Sequence, residues 1–192
     1  YRGDIMSAIN PQEIEIRTER TPNPASIRFV VERILLEKGS ADLNKPEKAE
    51  ASPLAKRLFA LGDIKGVFIG RDFITVTVKD GVDWNAIGNQ VLEIIREHLA
   101  SGEPTYEGDI EEINANLSET AKGILRVINE EIRPAVAMDG GDIIFGGFED
   151  GIVSLHLQGA CHGCPSSTMT LKMGIERRLQ EEFPEVKSVE AI

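Results

Sequence analysis

Two cysteines, Cys161 and Cys164, stand two residues apart in Gly159-Ala160-Cys161-His162-Gly163-Cys164-Pro165-Ser166-Ser167, and the 192-residue chain has no others. Cysteines that close cannot staple distant segments together, so apolar cores rather than a disulfide framework must hold the fold. A hydrophobic fraction of 41% supplies those cores. The same scarcity bounds the chemistry. Two thiolates can chelate a soft metal, yet iron–sulfur clusters and closed zinc sites normally take four protein ligands. One chain therefore carries half a site, and two copies paired about a two-fold axis would complete it, which argues for a symmetric homodimer.

A lone C-x-x-C reads as metal-binding or redox-active in a reducing compartment. The expected location is cytoplasmic, in a bacterial cell. Tyr1-Arg2-Gly3-Asp4-Ile5-Met6 shows no targeting pattern and Met6 reads as a candidate start. A leader already removed would leave the same view and a mitochondrial matrix or plastid location. Apolar runs such as Ile143-Ile144-Phe145 fall far short of the roughly 20 residues of a membrane span, so no membrane partner is expected. The net charge of −11 argues against nucleic acid, whose phosphates need clustered Lys and Arg. Residues 1–100 carry 14 basic and 15 acidic side chains, whereas residues 101–192 carry 7 and 17. The acidity thus lies in the half with the cysteines, where it favours solubility or basic partners.

The pattern of turns and periodicity predicts an α+β chain of two small α/β-sandwich domains. In the first, residues 12–100, extended runs Glu13 to Glu19 and Ser26 to Val31 flank the rigid turn Thr21-Pro22-Asn23-Pro24. The polar stretch Lys38 to Ala51 reads as a surface loop. Ser52-Pro53 then opens a helix, with serine as cap and proline at the first helical position. Val67 to Ile69 and Phe73 to Val78 read as a hairpin, in which Ile74, Val76 and Val78 alternate with Thr75 and Thr77. Asp83 caps a helix carrying Ile87, Val91, Ile95 and Leu99 at helical spacing.

Residues 101–116 read as a flexible acidic linker, with five acidic and no basic side chains between Glu103 and Glu112. The second domain, residues 117–192, reads α-β-β-α-β. Ser118 caps its first helix, near whose end Pro134 lies, and Met138-Asp139-Gly140-Gly141-Asp142 turns the chain into a strand. Asp150-Gly151 is a hairpin signal. Val153, Leu155 and Leu157 then alternate with polar residues up to Gly159, Pro165 opens the second helix, and Val186 to Val189 is a last short strand.

The cysteines thus fall between a strand and a helix N-terminus, where free N–H groups and the positive dipole end stabilise a thiolate. Cys164, directly before Pro165, gains most. Gly159 and Gly163 leave backbone N–H groups available to sulfur, and Ala160 and Ser166 keep the surface low enough for a second subunit. Three readings stand. A dithiol oxidoreductase is one, although His162-Gly163 replaces the proline usual between such cysteines. A zinc site shared by two chains is the second and an iron–sulfur cluster held by four thiolates the third. His162 is expected to face solvent rather than to ligate, Met169 and Met173 to fill a packed face, and Asp139 and Asp142 to serve the turn. No catalytic acid/base or nucleophile set stands out.

The motifs Ile132-Arg133-Pro134, Asp139-Gly140-Gly141-Asp142 and Gly159-x-Cys161-x-x-Cys164-Pro165-Ser166-Ser167 closely resemble the NifU C-terminal-like, or Nfu, domain. Thr21-Pro22-Asn23-Pro24, Ser52 to Phe59 and Asp72 to Thr77 resemble the Nfu N-terminal domain. The resemblance covers roughly residues 13–191. It implies a non-enzymatic scaffold or carrier in which Cys161 and Cys164 of each of two subunits bind one [4Fe-4S] cluster. It also implies upstream cluster-assembly machinery as donor and apo iron–sulfur client proteins as acceptors. A [2Fe-2S] cluster or zinc remains an alternative cargo. The N-terminal domain, which has no cysteine, is expected to recognise partners or regulate access to the cluster.

Overall fold

The computed structural model describes residues 10–108, 117–162 and 165–192. The expectations for Met6, for linker residues 109–116 and for Cys164 lie outside them. Two sheets, each with its own helices, build the molecule. Strands β1 (Ile16–Arg20), β2 (Ser26–Val31), β3 (Ala41–Leu43), β4 (Ile64–Ile69) and β5 (Phe73–Val78) form an antiparallel sheet in the order β1-β2-β5-β4-β3. One face carries Phe29, Val31, Val67, Ile69, Ile74, Val76 and Val78, each buried in one hydrophobic cluster. Against them pack Leu54 and Leu58 of α1 (Pro53–Phe59) and Val91 and Ile95 of α2 (Trp84–Ser101).

Capping chemistry fixes where these helices begin. The Ser52 side chain accepts from the Ala55 N–H and the Asp83 side chain from the Asn85 N–H, satisfying donors that the first helical turn leaves free. Gly102, at φ 75°, ends α2 in the left-handed conformation that favours glycine. The stretch Lys38 to Ala51 differs from the expected loop. It holds β3, which pairs with β4 from Ala41↔Ile69 to Leu43↔Val67, and a 3₁₀ helix at Pro46–Ala51. Linker residues 103–107 are also fixed: Ser52 Oγ donates to the Thr105 carbonyl at 2.7 Å and the Glu107 N–H to the Ala51 carbonyl at 2.7 Å.

The second sheet has the order β6-β7-β8, from β6 (Gly141–Glu149), β7 (Ile152–Gly159) and β8 (Ser188–Ala191), with β8 parallel to β7. Asp150 and Gly151 both take positive φ, 52° and 87°, and form the two-residue turn that the sequence signals. Ile143, Phe145, Val153, Leu155 and Val189 of this sheet are buried with residues from three helical segments. These are Ile124 and Val127 of α3 (Glu119–Val127), Val136 of α4 (Arg133–Met138), and Ile175 and Leu179 of α5 (Pro165–Glu182). Pro134 does not end its helix. A π segment, Ile128–Ile132, joins α3 to α4, and this extra residue in the turn accommodates the missing proline N–H.

Candidate metal centre

Strand β7 delivers the chain into the cysteine loop, and two glycines make the delivery possible. Gly159 (φ 64°) and Gly140 (φ 78°) lie in left-handed conformations, and the Gly140 carbonyl accepts the Ala160 N–H at 3.1 Å. The register Gly141↔Gly159 aligns the Asp139-Gly140-Gly141-Asp142 turn with the end of β7, so the two sequence motifs become one corner of the molecule. The His162 N–H donates to the Gly159 carbonyl at 3.1 Å and closes the turn. The Cys161 carbonyl accepts from Thr168 Oγ1 at 3.2 Å, which ties the turn to α5.

Cys161 is only 7% exposed and belongs to the hydrophobic cluster of the second sheet. Its sulfur packs over Gly141, where a Cβ would lie 2.6 Å from Sγ. His162 is exposed, in line with the expectation, as is His156 on the open face of β7. Met169 and Met173 are corrected: 67% and 64% exposed, they face out from α5 rather than fill a packed face. Asp142 is more than a turn residue. Its buried carboxylate takes a two-pronged bond from Arg133, at 2.7 Å from Nε and 2.6 Å from Nη2, and accepts from the Ile143 N–H at 2.8 Å and Ser40 Oγ at 2.6 Å. The bond to Asp142 holds the Arg133 guanidinium firmly charged, above its ordinary pKa.

Ser40 belongs to the first half of the chain, 102 residues from Asp142. Thr75 Oγ1 donates to the Gly140 carbonyl at 2.7 Å, and the Gly159 N–H reaches Asp42 Oδ1 at 3.4 Å. Burial pushes the Asp42 carboxyl up from its usual value, against the pull of the Gly159 N–H, Lys48, His162 and Asn44. The signal that bore on this was Phe68 and Phe73, apolar residues on the strand face opposite the first core. Both are buried without belonging to that core. Among the described residues, no group of three or more His, Cys, Asp or Glu is placed to hold a metal ion. Among them, too, no helix is long and apolar enough to cross a membrane.

Two family models match the chain, a NifU-like domain over residues 124–190 and the scaffold protein Nfu/NifU N terminal over residues 16–102. The NFU1 iron-sulfur cluster scaffold homolog, mitochondrial, of Drosophila sechellia is 43% identical over 183 residues, 92% of this chain and 64% of that protein. Its namesake in Homo sapiens is 42% identical over 181 residues, 92% of this chain and 71% of that protein. NifU-like protein 5, mitochondrial, of Arabidopsis thaliana is 42% identical over 183 residues, 91% of this chain and 66% of that protein. The chain thus spans about two thirds of the length of these relatives. Their names overturn the bacterial cytoplasmic expectation in favour of the mitochondrial alternative. Cysteine usage reports a reducing compartment, and cytosol and mitochondrial matrix share that property.

Proposed function

This chain belongs to the Nfu family, through both its NifU-like and its Nfu N-terminal regions, and from that premise we propose that it is an iron–sulfur cluster scaffold and carrier. Its cargo is a [4Fe-4S] cluster held between two copies by Cys161 and Cys164 of each. It receives the cluster from upstream assembly machinery and passes it to apo-proteins, without catalysing a reaction of its own. The chain divides for this purpose into residues 12–100, a linker at 101–116 and a cluster-binding domain at 117–192.

One observation carries the reading: Cys161, three positions before the chain's other cysteine in sequence, sits between β7 and α5 on a corner built from two glycine motifs. The N-terminal end of α5 favours the anionic thiolate that a cluster needs. The bond of Arg133 on α4 to Asp142 on β6 braces the corner and holds the strand end in place.

Anaerobic reconstitution with iron and sulfide tests the proposal. The wild-type chain is expected to turn brown, bind about four irons per dimer and yield them to an apo-client. Cys161→Ala is expected to lose the cluster. Normal assembly by Cys161→Ala would refute the ligand assignment, and disulfide reduction by the metal-free chain would favour the dithiol oxidoreductase. Tight zinc with no iron uptake would favour the zinc-stabilised module, and two irons per dimer a [2Fe-2S] cargo.

A further inference from the structure

The sheet of the N-terminal half has two faces, and only one of them faces its own core. Ile74, Val76 and Val78 of β5 point into that core. Strand alternation puts Phe73, Thr75 and Thr77 on the other face, which in a free-standing two-layer domain would be wet. Yet Thr75 is 1% exposed, and Phe68 on neighbouring β4 is buried too. The cysteine-bearing corner of the other half covers them. A Cβ on Gly140 would meet Thr75 Oγ1 at 2.8 Å and Thr21 Cγ2 at 3.0 Å, and one on Gly159 would meet the Phe68 ring at 2.9 Å. Both glycines are thus close-approach points between the halves as well as turn residues. Among the described residues, four hydrogen bonds cross the same seam: Thr75 to Gly140, Ser40 to both Asp142 and Gln158, and Gly159 to Asp42.

We infer that the outer face of the N-terminal sheet is a docking surface for the chain's own cysteine corner, and that it must lift away before two copies can join their thiolates on one cluster. The inference rests on the cluster-carrying reading above. Its physical basis is that the contact is specific yet separable. The two hydrophobic clusters share no residue, so each half keeps its core when the seam opens. The seam joins a few hydrogen bonds to apolar contacts and is incompletely filled, with a crevice of about 390 Å³ bordered by Asn23, Asn44, Lys65, Phe68, Gly159 and His162. Interfaces of that kind within a chain permit relative motion. While they stay joined, Thr21, Phe68, Thr75 and Asp42 lie against Gly140 and Gly159, at the corner that carries Cys161 and that a second copy must reach to share its thiolates.

The test uses the full-length metal-free chain with substitutions confined to the N-terminal half. Thr75→Arg places a long charged side chain in the seam. Ser40→Ala combined with Thr75→Val removes two hydroxyl donors at almost constant volume and guards against misfolding of the first variant. Small-angle scattering should give a radius of gyration near the roughly 16 Å of a compact chain for the wild type. It should rise by several ångströms, roughly a quarter, in Thr75→Arg. Exchange of the Gly159 amide proton should accelerate about tenfold or more in both variants as its protected state becomes rarer. The initial rate of cluster loading should rise with it. Equal radii and equal exchange in wild type and variants would overturn the docked arrangement. Faster exchange with an unchanged loading rate would overturn its role as a cover. If neither chain loads a cluster while the radius still rises, the cluster-carrying reading fails instead, and the cover with it.

Discussion

Replacing Gly141 by alanine tests the packing of Cys161 with a single methyl group. The new Cβ would sit 2.6 Å from Cys161 Sγ and 2.7 Å from the Gln158 carbonyl oxygen. A relaxed contact between carbon atoms is about 3.5–4.0 Å. The thiol can swing away. The carbonyl cannot retreat as easily, because Gln158 is in register with Asp142 and its neighbours in the β6–β7 ladder. Overpacking of this kind costs about 1–3 kcal/mol. At about 2–4 °C per kcal/mol for a chain of this size, the melting midpoint of the metal-free protein should fall by roughly 2–12 °C in scanning calorimetry. Alkylation of Cys161 should become faster, since the displaced sulfur leaves its packed position. Gly174→Ala is the control. Gly174 lies inside α5 with nothing within 4 Å of its would-be Cβ, so the same substitution there should stabilise by about 0.5–1 kcal/mol. An unchanged midpoint and thiol reactivity in Gly141→Ala, beside a stabilised Gly174→Ala, would refute the packing argument.

Two titrations give further predictions of opposite sign. Burial raises the Asp42 carboxyl above its ordinary 3.8, so the native state holds that proton more tightly than the unfolded chain. Its contribution to stability is present at low pH and is lost as pH rises through the window above 3.8. Asp42→Asn should flatten that loss in urea unfolding at about pH 4 and about pH 7. The Asn44 Oδ1, buried without a partner, can turn to accept the new amide. An identical pH response in wild type and variant would count against it. His98 is fully buried, neither ring nitrogen makes a hydrogen bond of sound geometry, and burial, with Arg57 beside it, lowers its pKa against the pull of Glu103 and the Pro104 backbone. Here stability is present above 6.5 and is lost as pH falls below it, because the unfolded chain takes up the proton more readily than the folded one. His98→Leu should remove that acid-side slope in thermal unfolding, and a slope equal to the wild type's would sink the assignment.

Local chemistry is what the sequence made legible. Serine and aspartate caps at Ser52, Asp83 and Ser118, the Asp150-Gly151 turn and the alternation in β5 and β7 each depend on neighbours a few residues away. What escaped depends on distant partners. Strand β3 is three residues long, too short for a period-two signal, and exists because β4 offers it an edge. The alternation in β5 marks Thr75 as the wet side of the hairpin. It carries no information that Gly140, 65 residues away, would cover it. Asp142 was legible as a strand start, but its bonds to Arg133 and Ser40 required the fold. Met169 and Met173 fit helical spacing and still face out, since periodicity identifies a stripe without saying whether a neighbour covers it.

The seam between the halves also decides how the metal-free chain behaves at ordinary concentrations. The cover is tethered to its target, and a short tether holds the effective concentration of a linked partner near the millimolar range. A second copy at micromolar concentration competes at roughly a thousandfold disadvantage for the same corner. On the proposed reading the closed single chain should dominate without metal, provided the two contacts are of similar strength. Both are modest. The internal one, among the described residues, rests on four hydrogen bonds and on the contacts of Thr21, Phe68 and Thr75, with no shared core. On the same reading, bonds from a cluster to the thiolates of two copies would exist only in the open, paired arrangement, so the cargo itself would supply the free energy that reverses the preference. Release of the cargo removes that term, and the cover returns to the corner. A loosely filled seam with few contacts is what allows such a cycle. A large apolar interface would fix one state, whereas this one leaves the balance within reach of a ligand.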